Sequence, residues 1–186
     1  LMVSGTLAPP DTAISMTQWH AHEMFFGFGW AVMGGFLLTA TKNWVKVRGY
    51  HGEILILLAF AWLLERAGMW FSGSLPPLVF LISNGLFLWG IIALVLWTLL
   101  RHRKDDGYRA DNRFFLIILP AFLVAKYLLL SESHFAIGVS VTLGLFRLAF
   151  LVMLERTLTQ FMKNAFQVDI LRHPLLDGAI KQLALL

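Results

Sequence analysis

Two imidazoles and a carboxylate fall within four consecutive residues of a chain that has only 6 His in all. They stand in the run Trp19-His20-Ala21-His22-Glu23-Met24. Imidazole nitrogen binds copper, iron and zinc, and it serves as an axial haem ligand. A neighbouring carboxylate can bind metal itself, or accept the imidazole N–H and so orient the ring. Backbone geometry decides how the two rings work. In an extended segment His20 and His22 point the same way and can share one metal. In a helix they diverge by about 200° and serve two centres or two partners. Each ring also suits a plain hydrogen bond at a membrane interface. The run is not the H-E-x-x-H zinc motif, and the chain has no Gly-rich phosphate loop and no nucleophile elbow.

Further ionisable residues interrupt apolar stretches: Glu65, Arg66, Lys126 and Arg147. A charge in hydrocarbon costs at least about 2.5–3.5 kcal/mol, so each one needs a partner or a task. Glu23, Glu65 and Lys126 can line a substrate or proton path. Glu65, Arg66 and Lys126 can equally cross-link helices, with Lys126 reaching toward the interface. At least one of Glu23 and Glu65 is expected within ion-pair reach of Lys126 or Arg66. Arg147 shares a helix face with Ser140 and Gly144, and it is expected to pair inside the bundle. Glu23, Gly27, Ala31, Gly35 and Thr39 recur every four residues, a stripe against which another helix can pack closely. Pro120 is expected to kink its helix, and the kink can open a cavity.

The elements that carry these residues follow from composition. The chain is 58% hydrophobic and 14% charged, with a mean hydropathy of +0.72. Soluble domains are about half apolar and about a quarter charged, so both figures point to lipid. Zero Cys excludes disulfide scaffolds, iron–sulfur clusters and thiolate zinc sites. With 16 Phe and 7 Trp, disorder is excluded as well. Five stretches are long enough to cross roughly 30 Å of hydrocarbon: His20–Thr41, Gly52–Phe71, Leu78–Leu100, Arg113–Leu130 and His134–Glu155. Lipid leaves no backbone group unpaired, so all five are read as helices. The expected fold is an all-α, polytopic integral membrane helix bundle in a single domain over 1–186, with the start of a sixth span at Leu175–Leu186. The chain runs from Leu1 to Leu186 and is expected to be a piece of a longer protein. Residues 1–19 lack the basic head and apolar run of a signal peptide, so an earlier span is expected before them.

Loop charge sets the orientation. Lys42, Lys46 and Arg48 lie in one loop, Arg101, Arg103, Lys104, Arg109 and Arg113 in another, and Arg156, Lys163 and Arg172 in the tail, 11 of the 15 basic residues. Residues 1–19, Ser72–Pro77 and Ser131–Ser133 have none. The positive-inside rule therefore puts the basic segments in the cytoplasm and residues 1–19 outside. Alternation across successive loops is what topology alone produces, so lipid is the expected partner and nucleic acid is not. Glu23, Glu65 and Lys126 then share the outer third of the bundle, and His134 opens the fifth span on the same side as a possible third ligand. His51, His102 and His173 fall beside Lys or Arg at the inner face, where solvent or headgroups suffice. Trp19, Trp44, Trp70 and Trp97 are expected as interface anchors.

The block WHAHEMFFGFGWAVMGGFLLTATKNW, Trp19–Trp44, resembles the opening of the first half of the NnrS family. Members of that family begin a span with W-H-A-H-E-M, continue G-F, and close with G-F-L-L-T-A followed by N-W. The similarity extends more weakly through Asn112–Tyr127 and Gly144–Phe166. The family's late G-R-x-I-P-F-F-T motif corresponds here to Glu155-Arg156-Thr157-Leu158-Thr159-Gln160-Phe161-Met162, without the Pro. The resemblance implies a bacterial inner-membrane protein of about twelve spans of about 20 residues each, binding haem and copper and linked to nitric oxide stress and denitrification. The spans missing from this chain would complete its cofactor site. His20, His22 and Glu23 match the motif by position. Chemistry marks His20 and His22 as metal ligands, with His134, Glu23, Glu65 and Lys126 as further cofactor-site candidates. Turnover and simple binding of nitric oxide both fit this reading. A transporter-like bundle using Glu23, Glu65 and Lys126 is the alternative, and a structural or assembly subunit a third.

Overall fold

The computed structural model describes residues 13–102, 109–167, 178–180 and 183. Among these residues five long helices follow one another, with no strand. We call them α1 (Met16–Trp44), α2 (Glu53–Trp70), α3 (Pro77–Arg101), α4 (Arg109–Leu130) and α5 (Phe135–Phe166). Three stretches are long and apolar enough to cross a membrane: Met16–Trp44, Pro77–Arg101 and Glu132–Lys163. The chain is therefore a helical membrane protein. Phe114–Leu130 is a shorter apolar helix, and α2 carries three ionisable groups, Glu53, Glu65 and Arg66.

α1 opens on a capping box: Ser15 Oγ accepts the Gln18 N–H, and the Gln18 side chain accepts the Ser15 N–H at 3.2 Å. Gln18 Nε2 donates onward to the Leu130 carbonyl at 3.3 Å, which ties the start of α1 to the end of α4. The helix then widens. Over Glu23–Gly29 it runs as a π-helix, and the Trp30 N–H reaches back five residues to the Phe25 carbonyl. Such widened turns are rare and concentrate at functional sites.

α2 and α3 form one hairpin and α4 and α5 another, the second closed by Ser131 and a short 3₁₀ turn, Glu132–His134. α1 lies between them, meeting α3 along its second half, α2 at the π turn and α4 at its start. The second hairpin closes on Gly138, where any Cβ would run into the backbone of Leu128 and Leu129. Trp30, Met33 and Leu37 of α1 meet Leu88, Ile91 and Val95 of α3 and Phe115, Leu119 and Phe122 of α4 in a single core. Phe122 is its centre, 4.9 Å from Trp30 and edge-on to Phe146 at 5.1 Å. The outer surface stays apolar: Ile56, Leu78, Ile117 and Leu154 are all exposed, as a lipid-facing belt requires.

Several expectations are corrected. α1 starts and ends a turn beyond His20–Thr41, and α5 runs on past Glu155 to Phe166. Trp44 is not an interface anchor. It is buried and stacked on Phe115 at 5.5 Å, because the end of α1 is covered by α4. Trp19 packs edge-on against Trp70 at 6.0 Å, and only Trp97 of the four is exposed. Among the described residues only the first part of the small-residue stripe packs: Gly27 lies against Arg66 and Ala31 against the core, whereas a Cβ at Gly35 would meet nothing and Thr39 is exposed. After Gly29 the helix is α again, and each step of four residues drifts by about 40° around it, which carries Gly35 and Thr39 off the buried side. Arg147 and Ser140 face outward while Gly144 is buried, so Arg147 has no ion pair among the described residues. Pro120 lies inside α4 on its exposed side, and the helix continues through it. Of Leu175–Leu186, residues 178–180 and 183 are helical. The remainder of that stretch, residues 1–12, Arg103, Lys104, Arg172 and His173 lie outside the described residues.

Candidate functional site

The ionisable residues of three helices converge at the end of the bundle where α1 begins. α1 supplies His22 and Glu23 at the entrance to the π turn, α2 supplies Glu65 and Arg66 near its last turn, and α4 supplies Lys126 one turn from its end. His22 and Glu65 are fully buried, and Lys126 is 5% exposed. Lys126 Nζ donates to Glu65 Oε1 and to the carbonyl of Asn84 on α3. Arg66 Nη1 donates to Glu23 Oε2 at 2.8 Å, and its Nη2 stands 3.1 Å from Glu65 Oε1. Two carboxylates thus face two fixed cations, and the cluster is formally neutral. That balance is what a buried group of four charges needs, because an uncompensated one would be expelled or neutralised. The expected meeting of Glu23 and Glu65 with Arg66 and Lys126 is observed.

Local sequence explains the approach. Gly27 lies directly under the Arg66 guanidinium, and a Cβ there would overlap Nη1. Its carbonyl accepts the Trp62 indole N–H at 2.9 Å, so the π turn is held against α2 by a side chain. Arg66 in turn lies over the Trp62 ring at 5.7 Å, and Lys126 over Phe26 at 5.3 Å, placing both cations on aromatic faces. Two residues of the site, Asn84 and Trp62, are not among the sequence-based candidates. Asn84 is buried and anchors its amide on the Met69 sulfur at 2.8 Å. A lone Ser83-Asn84-Gly85 step in an otherwise apolar helix was the signal for it. Trp62 has no signal of its own, because its role depends on what lies across the interface, while Gly27 stands in the small-residue stripe that marks close approach.

His22 is the pivot. Its Nδ1 stands 3.3 Å from Glu23 Oε1, so Glu23 can accept an Nδ1–H and leave the Nε2 lone pair free. Nε2 is buried and no well-formed hydrogen bond reaches it; Glu65 Oε1 at 3.5 Å and the Asn84 side chain are its polar neighbours. Glu65 Oε2 is a second buried atom without a partner. His20 is elsewhere. The segment is helical, so its ring leaves α1 on the exposed side while that of His22 turns inward, and the shared-metal geometry of an extended strand does not arise. His134 is exposed as well, with Nδ1 at 3.0 Å from Ser131 Oγ and 2.8 Å from Ser133 Oγ.

The donor set can be weighed against a metal. An imidazole that gives its N–H to a carboxylate and keeps the other nitrogen open is the usual second-shell arrangement of a histidine ligand. His22 fits as one donor. A complete centre does not form: among the described residues no group of three or more His, Asp or Glu is placed to hold a metal ion. Glu65 Oε1 already faces two cations, which oppose a third. Further donors would have to come from outside these residues.

No curated protein and no solved structure matches the chain. The family model described as NnrS protein matches residues 1–186. That match takes in the His22–Glu23 entrance, the π turn and both hairpins, and with it the chain belongs to the NnrS family.

Proposed function

We propose that the protein is a haem- and copper-associated membrane protein of the nitric oxide response, in the bacterial inner membrane with residues 1–19 on the periplasmic side, and that His22 donates to its metal site. The observation that carries this is the His22 ring, oriented by Glu23 with a buried, open Nε2. Ferrous haem or copper, when bound, supplies a coordination position that takes nitric oxide. The chain's own residues prepare the donor. Glu23 holds the ring at Nδ1, Arg66 holds Glu23, and Lys126 with Asn84 holds Glu65. Glu65 Oε2 is a buried acceptor without a partner, where a proton can be held beside the imidazole. His20 and His134, exposed at the same end, suit donors to a group held between this chain and a neighbouring segment.

The test is copper content and visible absorption of the full chain, purified from membranes. His22→Ala should lose bound copper or shift the haem spectrum, and Glu23→Gln should weaken metal affinity by about 10–100-fold. His20→Ala should change a different signal from His22→Ala. Full metal content and an unchanged spectrum in the His22→Ala protein would remove His22 from the site. A second reading draws on the buried bridging of α1, α2 and α4 by Glu23, Glu65, Arg66 and Lys126, which also suits a transporter-like proton or substrate path. A colourless, metal-free wild-type protein that takes up solute under a proton gradient would establish that one instead.

A further inference from the structure

At the opposite end of the bundle, the last turns of α1 and α3 and the loop between α1 and α2 line a half-open cavity of about 210 Å³. Lys42, Arg48 and His102 reach its wall, and Tyr50, Thr98 and Trp97 complete it. No carboxylate lines it, and none pairs with these three basic side chains among the described residues. We propose that this cavity binds a phosphate group, as carried by the phosphodiester of an anionic phospholipid headgroup.

Charge, shape and chemistry agree on that ligand. The carbonyl ends of α1 and α3 point here, and each opposes an anion with about half a charge. Lys42 and Arg48 outweigh them by about one unit, and that excess matches the single charge of a phosphodiester. The hydroxyls do not compete for the cations: Tyr50 Oη donates to the Leu94 carbonyl at 3.1 Å and lies 2.9 Å from Thr98 Oγ1, which itself donates to Leu94 at 2.8 Å. Gly49 lets the loop lie flat on the Lys42 stem, with Lys42 Nζ 3.1 Å from where a Cβ would stand. The ammonium is thereby held at the cavity rather than free in solvent. Leu38, Val47 and the exposed Trp97 supply apolar wall beneath the charged rim, the pairing a lipid needs where headgroup meets acyl chain. At about 30 Å³ per water molecule, the volume admits a phosphate and the first carbons attached to it.

The full chain in zwitterionic detergent is titrated separately with phosphatidylglycerol, phosphatidylcholine and inorganic phosphate, binding being read by native mass spectrometry and by Trp97 fluorescence, with a Trp97→Phe protein to assign the signal. Wild type should bind phosphatidylglycerol at least about tenfold more tightly than phosphatidylcholine. Lys42→Gln/Arg48→Gln should lose that preference, while Lys46→Gln/Arg101→Gln, which removes two charges at the same end but outside the cavity, should keep it. Binding of inorganic phosphate with the same dependence on Lys42 and Arg48 identifies free phosphate as a source and supports the site equally. Equal loss in both double variants would mean general surface charge and would overturn the proposal. So would a wild type that binds neither phosphatidylglycerol nor inorganic phosphate.

Discussion

Replacing Lys126 by Met tests whether the charge cluster is a single energetic unit. Met keeps most of the stem and removes the ammonium, so Glu65 loses one cation and the Asn84 carbonyl loses its side-chain donor. Glu65 is fully buried and its Oε2 is already unpartnered, so little water can compensate. Stranding one member of a buried pair costs about 3–5 kcal/mol. Arg66 Nη2, 3.1 Å from Glu65 Oε1, remains and recovers part of this, which places the expected loss near the lower end. At about 1.4 kcal/mol per tenfold, the folded-to-unfolded ratio should fall by about two orders of magnitude. Glu65→Gln should cost a similar amount, because it strands Lys126 in the same apolar surroundings. The double variant should cost less than the sum of the singles by about 2–3 kcal/mol, since neither charge is then left alone. Reversible unfolding in mixed micelles, followed by tryptophan fluorescence, measures all three. A loss below about 1 kcal/mol in Lys126→Met, or strict additivity in the double, would refute the buried-pair argument.

Gly27→Ala should destabilise by about 1–3 kcal/mol in the same assay, because its methyl group displaces the Arg66 guanidinium from Glu23. Gly35→Ala, which meets nothing, should be neutral or stabilising by up to about 1 kcal/mol from helix propensity. Gly138→Ala should cost more than Gly27→Ala, since the atoms it meets are backbone of Leu128 and Leu129 and cannot swing aside as an arginine can. Melting temperatures that reverse this order would contradict the packing account. For orientation, a maleimide applied outside intact cells should label Ser74→Cys and miss Arg103→Cys; the opposite pattern would invert the assignment of the two membrane faces.

Composition and charge placement carried the large-scale reading, because they reflect the solvent and not the partner. An apolar chain interrupted by short basic loops has few ways to satisfy its backbone in lipid except as helices. The helices therefore fall close to where hydropathy puts them, and the block from Trp19 to Trp44 is distinctive enough to identify the family. The meeting of Glu23, Glu65, Arg66 and Lys126 was legible for the same reason: isolated charges at similar depth in lipid have strong cause to find one another.

Direction around a helix was a different matter. His20 and His22 are two residues apart in sequence, and only the helical course of α1 decides that one faces outward and the other enters the cluster. The π turn after His22 brings Gly27 beneath Arg66, and the drift of the α-helix that follows leaves Gly35 facing nothing, though a four-residue repeat reads them as equivalent. Trp44 and Arg147 changed places with expectation in the same way, the aromatic covered by α4 and the cation facing out. Asn84 and Trp62 acquire their roles from atoms on other helices, the Lys126 ammonium and the Gly27 carbonyl. Transfer from water to lipid is a property of each segment and can be summed along the chain. Which face of a helix is buried depends on the shape and charge of its neighbours, and that is decided only when the helices pack.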